Sequence, residues 1–371
     1  MKNIKSLFFT IFIFCNIQTG YSQLANNIFN QKDSFFKNDS QTIRFNLEIF
    51  NYLRNTEYFD VIEKGQTLFG ALIQPTLSYQ PYSNIMIKAG FQTRQDYGST
   101  NLFSFQPVVC VSYFNHKWRH NFGSLQGNVN YGLIEPFYNI DRAVTNRIEN
   151  GIQGIYTSDK LTFNNFLVWD EPTYRTTKNQ ERFFTGFVIN RQLLKKKSVK
   201  LTFPLQGLLA HRGGQLNNNP NPIYSRVNAA SGLKLNWQIS SDMTLKTENY
   251  YVYSVDFSPT ISQPYKNGHA HWHTLSLKRK NLELMLNYWN GIEFQSPVGS
   301  LIYNNYNIYN FNEIRQRRTM IMSRLLYTQK LNSGTFIDLR FEPFYDFEYR
   351  QIQYSYSVYL KILFNKVIGR I

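Results

Sequence analysis

Between Ala270 and Phe294 apolar and polar residues change places at almost every step. Leu275 and Leu277 share one parity, and Thr274, Ser276 and Lys278 the other. After the basic turn Lys278-Arg279-Lys280-Asn281 the alternation resumes. Leu282, Leu284, Leu286, Tyr288, Ile292 and Phe294 stand against Asn281, Glu283, Asn287 and Glu293. Strand side chains point to two faces with period two, so this pattern predicts a β-hairpin with one apolar and one wet wall. A tilted arm of about ten residues crosses the hydrocarbon core of a membrane.

The unit repeats along the chain. Strands are predicted over 41–53, 67–79, 84–94, 102–114, 117–126, 147–157, 160–170, 182–194, 197–211, 223–239, 242–256, 270–280, 281–294, 317–330, 334–347 and 352–364. That is about 16, with 14 to 18 as the range. Short links at Gln80 to Ser83, Asn115-His116, Ser158-Asp159, Lys195-Lys196, Ser240-Ser241, Arg279-Lys280 and Asn332-Ser333 alternate with long ones. The long ones are 54–66, 95–101, 127–146, 171–181, 212–222, 257–269 and 295–316. Short periplasmic turns and long extracellular loops are the rule for membrane barrels, whereas a soluble sandwich needs no such rhythm. The fold class expected is therefore all-β, a single transmembrane antiparallel β-barrel.

In this organisation the chain resembles the bacterial outer-membrane β-barrel class, and its porin-like members in particular. The last predicted strand, with Tyr354, Tyr356, Val358, Leu360, Ile362 and Phe364 on one parity, resembles the C-terminal strand read by barrel-assembly machinery. It departs from that pattern by continuing past Phe364 to Ile371. The resemblance implies the outer membrane of a Gram-negative bacterium.

The N-terminus agrees with export. Lys2 and Lys5 precede a short apolar run, Leu7 to Ile17, and Gly20 and Ser22 have signal-peptidase spacing, with cleavage expected before Gln23. The expected division is a signal peptide over 1–22, a periplasmic lead-in over 23–40 and the barrel over 41–371. Beyond the signal, Cys110 is the remaining cysteine, which excludes an intrachain disulfide scaffold and is read as a small strand residue. Aromatic residues make up 17% of the chain while mean hydropathy is −0.40, a combination that suits aromatic girdles around a wet interior.

Net charge is +16, or +14 once the two signal lysines are removed (16 − 2). Export and the lack of a nucleic-acid motif turn this charge away from DNA and RNA. Anionic solutes, glycans and the lipids or lipopolysaccharide of the outer membrane are the expected partners, with other outer-membrane proteins as a further class. The parity opposite the apolar one presents Arg44, Lys88, Arg94, Lys234, Lys246, Arg324 and Arg340 to the lumen, with Glu48, Glu248, Glu283, Glu293, Asp338 and Glu342. With Arg147, Lys200, Arg226, Lys278, Arg318, Lys361 and Glu149 the wall carries roughly 13 bases to 7 acids by this rule. Such a wall favours anions; it equally suits cross-strand ion pairs that stiffen the interior.

His269, His271 and His273 alternate along one strand, a spacing that presents imidazoles to a single metal. Their parity is that of Leu275, so they point outward near the extracellular rim, and no metal or other cofactor is expected. Outer-membrane lipid hydrolases place a His and a Ser outside the barrel near the outer leaflet. Here Ser276 lies on the parity opposite His273, so that pairing is missing, and no catalytic residue is assigned. The long loops combine Tyr, Phe, Asn, Pro and Gly, which suits sugar stacking or a protein interface, and 295–316 is long enough to fold into the lumen. The reading is a non-enzymatic, porin-like transport channel or binding barrel for small anionic or glycan-like solutes. A non-conducting accessory barrel in a larger assembly is the alternative, and a lipid hydrolase the third.

Overall fold

The computed structural model describes residues 26–31, 40–59, 62–125, 130–214, 216, 219–310 and 312–371, so the expected signal peptide lies outside the described residues. Alternation is written directly into the architecture. The strands are β1 (Thr42–Glu57), β2 (Gln66–Tyr82), β3 (Ile85–Asp96), β4 (Ser104–Asn115), β5 (Trp118–Ser124), β6 (Asn150–Thr157), β7 (Leu161–Glu171) and β8 (Arg182–Lys195). They continue as β9 (Val199–Arg212), β10 (Tyr224–Gln238), β11 (Met243–Asp256), β12 (Asn267–Arg279), β13 (Leu282–Ile292), β14 (Arg317–Lys330), β15 (Thr335–Asp346) and β16 (Gln351–Arg370). Every strand pairs antiparallel with its sequence neighbours, and β1 with β16 closes a 16-stranded barrel. Closure leaves no sheet edge in lipid, where an unpaired backbone group costs several kcal/mol.

Each predicted strand overlaps an observed one. On β13, Leu282, Leu284, Leu286 and Tyr288 are exposed to the membrane side, while Glu283, Met285, Asn287 and Trp289 are buried inside. The last strand does not stop at Phe364; it runs to Arg370 because β1 offers partners down to Thr42. Short turns gather at the periplasmic end, and longer loops at the other.

The interior contains a packed core. The loop joining β5 to β6 turns inward, with one short helix α1 (Arg142–Thr145), and so does the loop joining β13 to β14. Tyr131, Leu133, Ile134, Phe137 and Tyr138 of the first meet Phe294, Ile302 and Tyr303 of the second, against Trp272, Trp289, Met320 and Met322 of the wall. A smaller cluster forms where Phe29 wedges against Phe50 and Tyr359, with ring centroids 5.7 and 4.8 Å away. The described part of the expected periplasmic lead-in thus enters the lumen: Gln31 donates to Gln74 at 2.9 Å and Arg340 to Asn26 at 2.8 Å. Burying the aromatic ring of Phe29 there offsets the entropy of ordering the segment.

Candidate functional site

Inside the barrel, charge is consumed by pairing. Arg324 reaches both carboxylate oxygens of Glu135 on the inserted loop, and its Nε lies 3.4 Å from Glu342. Arg54 joins Asp141 at 2.5 Å to Glu342 at 3.0 Å. Arg142 bridges Glu149 and Asp170, at 2.7 and 2.9 Å. Glu48 takes both Arg147 and Lys361; Lys234 pairs with Glu248, Arg340 with Asp338, Arg318 with Asp346 and Arg94 with Asp96. Lys88 and Lys246 are buried on the inward face, Glu283 accepts from Ser276 at 2.5 Å, and Arg44 bonds Asn365 near the periplasmic rim. Buried ions require such partners, since an uncompensated charge in this environment costs several kcal/mol. Glu293 is an exception to the parity rule. It lies beyond β13 with φ of 53°, where the chain leaves the ladder for the inward loop, and it accepts from Gln316.

The histidine strand faces outward. His271 and His273 lie parallel with centroids 6.1 Å apart, His273 Nδ1 is 2.8 Å from Asn249, and His269 stacks on Tyr251. Among the described residues no group of three or more His, Cys, Asp or Glu side chains is placed to hold a metal ion. Cys110 is buried on β4, its Sγ 3.7 Å from Ser112 Oγ.

A second outward row has chemistry that the strand pattern did not disclose. Trp169, Phe183, His211 and Ser225 are direct register partners across β7, β8, β9 and β10. Trp169 stacks on Phe183 at 5.4 Å, and Phe183 lies 5.1 Å from the His211 ring. His211 Nδ1 is 2.8 Å from Ser225 Oγ, and Nε2 is 3.0 Å from the Gly213 carbonyl. A carbonyl only accepts, so Nε2 carries the proton and donates to Gly213. Nδ1 is then the lone pair that accepts the Ser225 hydroxyl proton, the arrangement of a serine paired with its base. Gly213 adopts φ of +116° and its N–H donates to Glu181 O at 2.9 Å, which fixes the carbonyl beside the ring. Ser225 is fixed from the other side: its N–H donates to Ser258 Oγ at 3.0 Å, and its carbonyl accepts from Phe257 N at 2.8 Å. Trp169 and Phe257 are exposed at this end of the wall, at the level where aromatic side chains mark a membrane interface. The pair sits on the lipid-facing surface at the outer-leaflet end.

The profile of lipid A 3'-O-deacylase-type proteins matches residues 35–371. The chain belongs to this family. No curated protein matches it in sequence. Solved structures with a similar fold include OprD from Pseudomonas aeruginosa, at TM-score 0.53 and 11% identity, covering 90% of this chain and 98% of that one. A loop-deletion mutant of OmpT, an outer membrane protein of Vibrio cholerae, gives 0.51 and 9%, covering 87% and 99%. OccAB4 from Acinetobacter baumannii gives 0.50 and 9%, covering 89% and 100%. At these identities the likeness is one of fold. This member of the deacylase-type family is therefore a bacterial outer-membrane β-barrel of porin-like architecture, located in the outer membrane of a Gram-negative cell.

Membership corrects the expectation of a non-enzymatic barrel, because the family is named for an esterase activity. That expectation rested on Ser276 lying on the wrong face and on no other Ser–His or carboxylate arrangement standing out along the chain. The Ser–His pair is formed between strands, by residues 14 positions apart that flank a hairpin loop. A scan of odd-parity residues across the predicted hairpin 197–211 and 223–239 holds the signal that would have found it.

Proposed function

We propose that this protein hydrolyses acyl esters of outer-leaflet lipid, with lipid A as the substrate class its family suggests. The observation that carries the reading is the oriented His211–Ser225 pair on the lipid-facing wall. Ser225 Oγ attacks the ester carbonyl carbon as its proton passes to His211 Nδ1. The imidazolium then returns that proton to the departing lipid alkoxide, leaving an acyl-serine. Water, deprotonated by His211, attacks the acyl-serine, and fatty acid leaves as the Ser225 hydroxyl is restored. The Gly213 carbonyl holds the orientation of the ring throughout. Substrate needs no entry channel in this scheme, since acyl chains already lie along Phe183 and Trp169.

The test is fatty-acid release from detergent-dispersed lipid A by purified, folded barrel, read by mass spectrometry. Ser225→Ala is expected to lower the rate by about 10³-fold or more, and His211→Ala by about 10²–10⁴-fold. Full activity in folded Ser225→Ala protein would remove this reading.

A second reading has one observation in its favour, the basic residues on the inward parity. It is a channel or binding barrel for small anionic or glycan-like solutes. Many of the same residues are held in ion pairs, most of them with carboxylates of the wall and Arg324 with Glu135 of the inserted loop, which weighs against an open path.

A further inference from the structure

The positive charge of this chain is not spread evenly. The seven short turns, with the strand residues that border them, carry eight lysines and arginines against Asp159 and Asp242. The eight connections at the opposite end, counted in sequence with their bordering strand residues in the same way, hold 14 acids and 11 bases. All eight basic residues of the short-turn end are exposed, and Lys195, Lys196 and Lys197 are consecutive. Arg279 is tied to Asp242 at 3.3 Å.

Their neighbours locate them relative to the membrane. Lys117 precedes Trp118, Lys195 follows Leu194, Lys330 precedes Leu331, and Lys280 lies two residues from Leu282. Each of those apolar side chains is itself exposed, between 36% and 53%. A cation beside a side chain that enters the hydrocarbon stands at headgroup depth, where its stem covers apolar surface and its charge meets phosphate. We propose that the short-turn rim is a polybasic collar that selects anionic phospholipids of the inner leaflet of the outer membrane. A soluble periplasmic polymer would need cations raised away from the wall. Here they border it.

The test uses full-length protein reconstituted in phosphatidylcholine bilayers with spin-labelled phosphatidylglycerol or spin-labelled phosphatidylcholine. The measured quantity is the ratio of the two labels' association with the protein's lipid annulus. Wild type is expected to prefer phosphatidylglycerol by about twofold or more at low salt, falling towards one in 1 M salt. Replacing Lys195, Lys196, Lys197 and Lys280 by Gln should bring the ratio close to one. Replacing Lys64, Lys178 and Lys266 of the opposite end by Gln should leave it unchanged. Heat-dependent gel mobility verifies that each variant is folded. A wild-type ratio of one overturns the proposal, and so does a preference that survives in the collar variant. Binding to isolated peptidoglycan with a lipid ratio of one would reassign the collar to a polymer, which also overturns it.

Discussion

Gly213 shows how much of the site hangs on one backbone position. At φ of +116° a side chain is strained, and an added Cβ would stand 2.6 Å from Ile223 Cγ1. Gly213→Ala should therefore move the carbonyl that receives His211 Nε2–H while leaving Ser225 and His211 in place. We expect a folded barrel whose kcat for lipid deacylation falls by about 10-fold or more, with KM little changed, because ring orientation matters in the transition state and not for lipid binding. An unchanged kcat would show that the carbonyl does not orient the base. At this scale the sequence was only partly legible. Parity correctly put His269, His271 and His273 outside. It did not pair His211 with Ser225, because pairing between strands depends on hairpin register, and a long loop hides that register.

Element by element, the strands were readable and the direction of the loops was not. Period two is imposed by the pleat, so the apolar stripe of β13 or β14 announces itself. A loop rich in Tyr, Asn and Pro reads the same whether it covers the rim or fills the interior. What separates the two is partners distant in sequence, such as Arg324 for Glu135 or Ser254 for Gln295. The loop between β1 and β2 joins this assembly through Glu63, whose carboxylate accepts from Ser300 at 3.5 Å. Burial, reinforced by Asp141, pushes the Glu63 carboxyl up to about 8. A raised folded-state pKa means the stabilising contribution is complete below the unfolded value of 4.5 and is lost as pH rises through 8. Thermal midpoints measured from pH 4.5 to 8.5 should fall with pH more steeply in wild type than in Glu63→Gln. Equal slopes would place the proton elsewhere.

For the whole molecule, strand number, closure and membrane placement could be read from the chain, because a barrel repeats one rule 16 times and errors at single boundaries do not accumulate. The state of the lumen could not. The same parity that lists inward lysines and arginines is silent on whether water or protein meets them. With both long inserts in place we expect no steady current from single barrels in planar bilayers. A stable, anion-selective conductance, reduced by Lys88→Gln and Lys246→Gln, would instead favour the channel reading.

The seam between β1 and β16 joins Thr42 to Arg370 and Glu57 to Tyr354, so the first and last strands of the barrel are partners. No shorter piece of the chain supplies that ladder. Until β16 is in place, both terminal strands present bare edges, and closing the ring must bring together points 297 to 328 residues apart (354 − 57 and 370 − 42). Such a chain cannot mature from its beginning onward as a growing helix bundle can. It must be kept open, whole and unaggregated until one late event commits every strand at once.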